Sequence, residues 1–165
     1  MKIFYATTFD RSEERQILIG AYASEEIAQR ELSESLKLFD DDINDADIEA
    51  LMEEGELELL DAKIYYDSKE VGGNPIKVCL LANYYTDYGG LISLSLFPTE
   101  SKLTKFCKEL AQDDECCEDP DDTEMVNARA NEIKKGLLNG KCYYRTMAED
   151  AEELHLSNFV TIKMK

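Results

Sequence analysis

The chain has 165 residues, 44% of them hydrophobic and 33% charged, a globular profile that excludes a disordered chain. Asp and Glu outnumber Lys and Arg by 36 to 18, a formal net charge of −18, which sets the chain against phosphate backbones and anionic membrane surfaces. There is no run of about 18 apolar residues and no basic-then-apolar leader, and the five cysteines Cys79, Cys107, Cys116, Cys117 and Cys142 are too irregular for a disulfide framework, so a cytoplasmic, reducing compartment is expected.

Residues 2–9 are rich in aromatic and β-branched side chains and predict a strand, 10–15 a polar turn, and 16–23 the returning strand of a hairpin. Ser24 is placed to cap a helix, with Glu25 and Glu26 in its first turn and Ala28, Leu32, Leu36 and Phe39 at helical spacing. Asp45 is positioned to cap a second, short helix through Ile48, Leu51 and Met52, which Gly55 ends. Residues 57–66 then read as one strand or two short ones. Gly72-Gly73-Asn74-Pro75 marks a boundary.

The pattern then repeats. The almost unbroken apolar run of 76–85 predicts a central strand covered on both faces, Asp87-Tyr88-Gly89-Gly90 a turn, and 91–97 the return. Thr99 is the counterpart of Ser24 and caps a helix through Leu103, Phe106, Cys107 and Leu110. A further helix runs from about Thr123 through Val126, Ala130 and Ile133 to Gly136. Lys141-Cys142-Tyr143-Tyr144 echoes Lys63-Ile64-Tyr65-Tyr66. A short acidic helix over 147–154 and a strand over 158–164 complete the chain. The fold class expected is α+β: two pseudo-repeated ββααβ-like units, residues 1–70 and 71–165. The second carries the helix-strand extension. The units share one body of antiparallel or mixed sheet with helices on one face, and a sheet face or edge is left for a partner or a second copy.

No catalytic or cofactor motif appears. Between Lys37 and Lys63 there is no basic residue, and Asp40, Asp41, Asp42, Asp45, Asp47, Glu49, Glu53, Glu54, Glu56 and Glu58 accumulate. Between Lys108 and Arg129 the same holds for Asp113, Asp114, Glu115, Glu118, Asp119, Asp121, Asp122 and Glu124. Neither cluster is a calcium loop of the helix-loop-helix kind, because Asp45 and Glu124 stand where the sixth-position glycine belongs. Cys116-Cys117 lacks metal or redox spacing, and its acidic neighbours disfavour the thiolate. The remaining cysteines lie on predicted apolar faces and read as core. His155 is the only histidine, which rules out a histidine-rich metal site, and no serine lies in a Gly-x-Ser-x-Gly elbow. In Tyr65-Tyr66, Tyr84-Tyr85 and Tyr143-Tyr144, adjacent rings point to opposite faces of a strand, so one of each pair is available to a partner.

The function expected is that of a non-enzymatic acidic binding protein that engages a basic protein surface through Asp40, Asp41, Asp42, Asp45, Asp47, Glu49, Asp113, Asp114, Glu115, Glu118, Asp119, Asp121 and Asp122. No cofactor, metal, direct nucleic acid or membrane contact is expected. Carboxylates on a rigid surface occupy a basic groove that otherwise holds phosphates. In size and charge alone the chain resembles the anti-restriction and anti-CRISPR inhibitors of phages and mobile elements. The rival readings are a divalent-cation-dependent enzyme using clustered carboxylates, and an interaction module whose acidity serves solubility.

Overall fold

The aromatic and β-branched run near the start of the chain forms β1 (Lys2–Asp10), which pairs antiparallel with β2 (Arg15–Tyr22) from Phe4 opposite Tyr22 to Asp10 opposite Arg15. The computed structural model describes residues 1–12, 15–86, 90–147 and 150–165. Helix α1 (Glu25–Phe39) starts where its apolar spacing predicts, at Ser24, whose hydroxyl accepts the Ile27 amide at 3.3 Å. Helix α2 (Asp45–Glu54) is capped by Asn44 rather than Asp45. The Asn44 side chain accepts from the Ala46 and Asp47 amides while the Asp47 carboxylate accepts the Asn44 amide at 2.9 Å, a reciprocal box that needs the short amide one residue earlier. Gly55, in the left-handed region at φ 82°, ends the helix. Two strands follow, β3 (Glu56–Glu58) and β4 (Ala62–Glu70).

Strand β5 (Lys77–Tyr85) is buried at every residue from Val78 to Tyr84, as its unbroken apolar run requires. It is followed by β6 (Leu91–Phe97), α3 (Glu100–Gln112), α4 (Thr123–Leu138), β7 (Tyr143–Met147), β8 (Asp150–Leu156) and β9 (Val160–Lys163). The turn expected at Asp87-Tyr88-Gly89 lies outside the described residues. Thr99 caps α3 through the Lys102 amide at 3.3 Å, and Asp122 caps α4 through the amides of Glu124 and Met125 at 2.8 and 3.3 Å. Gly136 does not stop α4, which runs on to Leu138; the left-handed turn comes at Gly140, φ 78°.

The helix expected over 147–154 does not form at the described residues of that range. From Asp150 onward the chain is strand β8, paired antiparallel with β7 on one side and β5 on the other. Leu154 and Leu156 alternate into the core opposite Asn83 and Leu81, and this pairing overrides the helix preference of an Ala- and Glu-rich stretch.

The chain is α+β, a mixed β-sheet with four helices packed on it. It divides into two compact units, Met1–Val78 with Phe159–Lys165, and Cys79–Asn158. This division does not coincide with the one expected at 70/71: it falls inside β5, and the C-terminal strand belongs to the first unit. In that unit the strand order is β3-β4-β1-β2-β9. Strand β9 is parallel to β2 at Ala21 and Tyr22, and antiparallel to the first two residues of β5. Helix α1 packs on β1 and β2, and α2 on β3 and β4. Their apolar stripes (Ala28, Leu32, Leu36; Ile48, Leu51) close on Ala6, Tyr22, Ile64 and Tyr66. Each such Leu or Ile contributes about 1.5–3 kcal/mol by leaving water. The second unit is an antiparallel sheet of order β6-β5-β8-β7, with α3 on β6 and α4 on β7 and β8. The element orders β1-β2-α1-α2-β3-β4 and β5-β6-α3-α4-β7-β8 are the same, as are the strand orders β2-β1-β4-β3 and β6-β5-β8-β7.

Candidate functional site

In the first unit, α1 and α2 lie against each other with charged outer faces and leave two adjoining concavities of about 310 and 360 Å³ that share Glu26, Gln29 and Glu49. Glu25, Met52 and Glu53 complete the first, and Arg30, Ser33, Asp45 and Ile48 complete the second. Glu25 and Glu26 sit in the first turn of α1, where the helix dipole favours anions. Glu49 and Glu53 are one turn apart on α2, so their carboxylates share a face. A hydrogen bond from the Ser24 side chain, and one from its own backbone, hold the Glu26 carboxyl below its ordinary pKa against a small opposing effect of burial, so it stays ionised. The cations at the rim are already engaged: Arg30 bonds Glu31 at 3.0 Å, and Lys37 bonds Asp45 at 2.5 Å.

The expected contact residues divide into those the fold uses and those it leaves outward. Asp40 accepts the Asp42 amide in the turn after α1. Asp45 accepts from Lys37 and from the Ser33 hydroxyl, which lowers its pKa. Asp47 closes the α2 cap, Asp119 accepts the Asp121 amide, and Asp122 caps α4. Asp41, Asp42, Glu49, Asp113, Glu115, Glu118 and Asp121 are exposed. Among the described residues no ion pair reaches the carboxylate of any of the seven.

Asp114 is the exception within its cluster. Its side chain is only 7% exposed and lies 2.8 Å from the Arg129 guanidinium. It also accepts from Arg129 Nε at 2.9 Å, the Tyr143 hydroxyl at 2.8 Å and the Cys116 amide at 2.8 Å. Burial pushes its pKa up, but these bonds outweigh burial and hold the carboxyl below its usual range. The acidic segment after α3 is thereby pinned beside β7, and between them runs a groove of about 210 Å³ lined by Asp113–Cys116 and Tyr143–Thr146.

Compared with models of known protein families, with curated proteins and with solved structures, the chain matches none.

Among the described residues, no three of His, Cys, Asp and Glu converge as metal ligands. His155 Nε2 lies 2.8 Å from the Glu153 carboxylate, and its ring meets the Tyr84 ring edge-on at 5.6 Å. Cys79 and Cys107 are buried, and burial pushes their thiols up to about 12 and about 11, so both are inert at neutral pH. Cys142 departs from the core role expected of it: it is half-buried, with its sulfur 3.4 Å from the Tyr144 hydroxyl. The tyrosine pairs split as strand alternation requires, with Tyr66 and Tyr84 buried and Tyr85 and Tyr144 exposed. Tyr88 lies outside the described residues. Glu25, Glu26 and Glu53 are not among the contact residues expected from sequence. Helical spacing sets Glu49 and Glu53 on one face, whereas the first turn of α1 comes alongside only through the packing of α1 on α2.

Proposed function

We propose that the protein is a non-enzymatic binding protein that engages a basic protein surface, in the manner of a nucleic-acid-mimicking inhibitor of a nucleic-acid-binding machine. The observation that carries this reading is the concave face between α1 and α2. There Glu25, Glu26, Glu49 and Glu53 stand on two packed helices whose nearby cations are already paired. Carboxylates gathered in a shallow groove attract Lys and Arg side chains by complementary charge. The net charge of −18 adds long-range steering toward a basic partner.

The test is affinity capture from a lysate at low and at high salt, comparing the wild-type protein with Glu26→Lys/Glu49→Lys/Glu53→Lys. The expected result is retention of a basic nucleic-acid-binding protein, its displacement by added duplex DNA, and its loss with the triple variant while the circular dichroism spectrum is unchanged. A retained partner that neither DNA nor the triple substitution displaces would remove the mimicry reading.

A further inference from the structure

Beneath the C-terminal half of α1 the first unit holds a small cavity of about 70 Å³. It is lined by Thr8 of β1, Ile19 of β2, Ile64 of β4, and Ser35 and Leu36 of α1. Ser35 is exposed and stands at its mouth. Apart from Thr8 and Ser35 the lining side chains are aliphatic. Directly opposed residues of antiparallel strands share a face. Thr8 stands opposite Ile64, which packs in the core with Leu32 and Leu36 of α1, so the Thr8 side chain also points toward the helix, where the cavity lies.

A threonine hydroxyl is both a donor and an acceptor, and a buried one costs stability while it bonds nothing. Thr8 is 8% exposed, and its Oγ1 has no hydrogen-bond partner among the described residues. Valine has the same shape without that cost, so packing alone does not account for the hydroxyl. The second unit repeats the feature. Tyr22 and Phe97 each stand two residues before a helix cap, Ser24 and Thr99, and lie opposite Phe4 and Cys79. Four residues further along β1 and β5 come Thr8 and Asn83. Asn83 is 9% exposed, and its Oδ1 likewise has no partner among the described residues.

The size and lining of the cavity select its occupant. An apolar cavity of about 150 Å³ takes up a benzene ring, and in proportion the cavity under α1 accommodates about three non-hydrogen atoms. A water molecule is poorly served there, because it needs about two to four polar partners and finds the Thr8 hydroxyl inside and Ser35 only at the mouth. We infer that this cavity binds a small neutral aliphatic molecule carrying one polar oxygen, of the class of ethanol and other short-chain alcohols. Its alkyl part packs against Ile19, Leu36 and Ile64, and its oxygen bonds the Thr8 hydroxyl. The site shares no lining residue with the concavities between α1 and α2, and neither reading depends on the other.

The probes are ethanol and xenon, each titrated into the whole chain and followed by ¹³C-methyl NMR of Ile19, Leu36 and Ile64. Xenon is of similar size and forms no hydrogen bond, so it reports the cavity alone. Both are expected to give saturating shifts confined to these methyls. Thr8→Val is expected to weaken ethanol binding about fivefold, the loss of one neutral hydrogen bond, and to leave xenon binding unchanged, whereas Thr8→Ser keeps ethanol binding. Thr8→Val is also expected to melt above the wild type, with ethanol narrowing the gap, which shows that the variant is folded. Ethanol shifts that do not saturate and spread over all methyls are a solvent effect and overturn the site, whatever xenon does. Equal ethanol affinity in the wild type and Thr8→Val overturns the part given to the hydroxyl, and with it the assignment to alcohols.

Discussion

Asp114 belongs to a run of acidic residues, yet its carboxylate faces inward, accepting from Cys116, Tyr143 and Arg129. Replacing it by Asn keeps the shape and removes the charge that Arg129 pairs with, so Asp114→Asn is expected to cost about 1–3 kcal/mol at pH 7. The pH dependence has a definite sign. Burial raises the carboxyl pKa and the hydrogen bonds lower it by more, leaving the folded value below the unfolded one. The contribution is therefore complete above the ordinary carboxylate range, about pH 4–5, and is lost as pH falls through the folded pKa. Urea unfolding of both proteins between pH 7 and pH 3 checks this, because the gap between them should shrink toward acid. A constant gap would assign the loss to packing. Nothing in the sequence marked Asp114 apart from Asp113 and Glu115. Its partners are 15 and 29 positions away, and local spacing carries no information about such pairs.

Two glycines that look alike in sequence act oppositely in their helices. Gly55 ends α2 at φ 82°, with the Tyr66 carbonyl 3.4 Å from where a Cβ would stand, so Gly55→Ala is expected to destabilise by about 1 kcal/mol. Gly136 is inside α4 with open space around its missing Cβ, and Gly136→Ala is expected to stabilise by about 0.5–1 kcal/mol. Thermal melts of the two variants should move in opposite directions. The same contrast explains which elements sequence could place. Hairpin strands, Ser24 and Thr99 as caps, and the stripes of α1 and α3 are signals confined to a few neighbouring residues. Strand β8 is different, because its Ala and Glu residues favour a helix and only its position between β5 and β7 makes it a strand. The acidic clusters were legible as composition, but their division into caps, turn acceptors and outward carboxylates depends on where Asn44, Lys37 and Arg129 come to lie.

At the scale of the molecule, a net charge of −18 opposes compactness through self-repulsion that salt screens, with a Debye length of about 10 Å at 0.1 M. Calorimetry at pH 7 is expected to show the melting temperature rising between about 10 and 500 mM NaCl. The rise should be smaller for Asp41→Asn/Asp42→Asn/Glu118→Gln/Asp121→Asn, which removes outward charge and no cap. A salt response equal in both proteins would place the repulsion elsewhere. Strand β9 carries a different consequence. It completes the sheet of the first unit beside β2, yet it is translated after every residue of Cys79–Asn158, so the first unit stays unfinished on the ribosome until the second has been made. Val78 and Val160 face each other across the ladder, which puts the entry and exit of the intervening chain side by side. The second unit is topologically an insertion, and excising it leaves two ends that a short loop can rejoin.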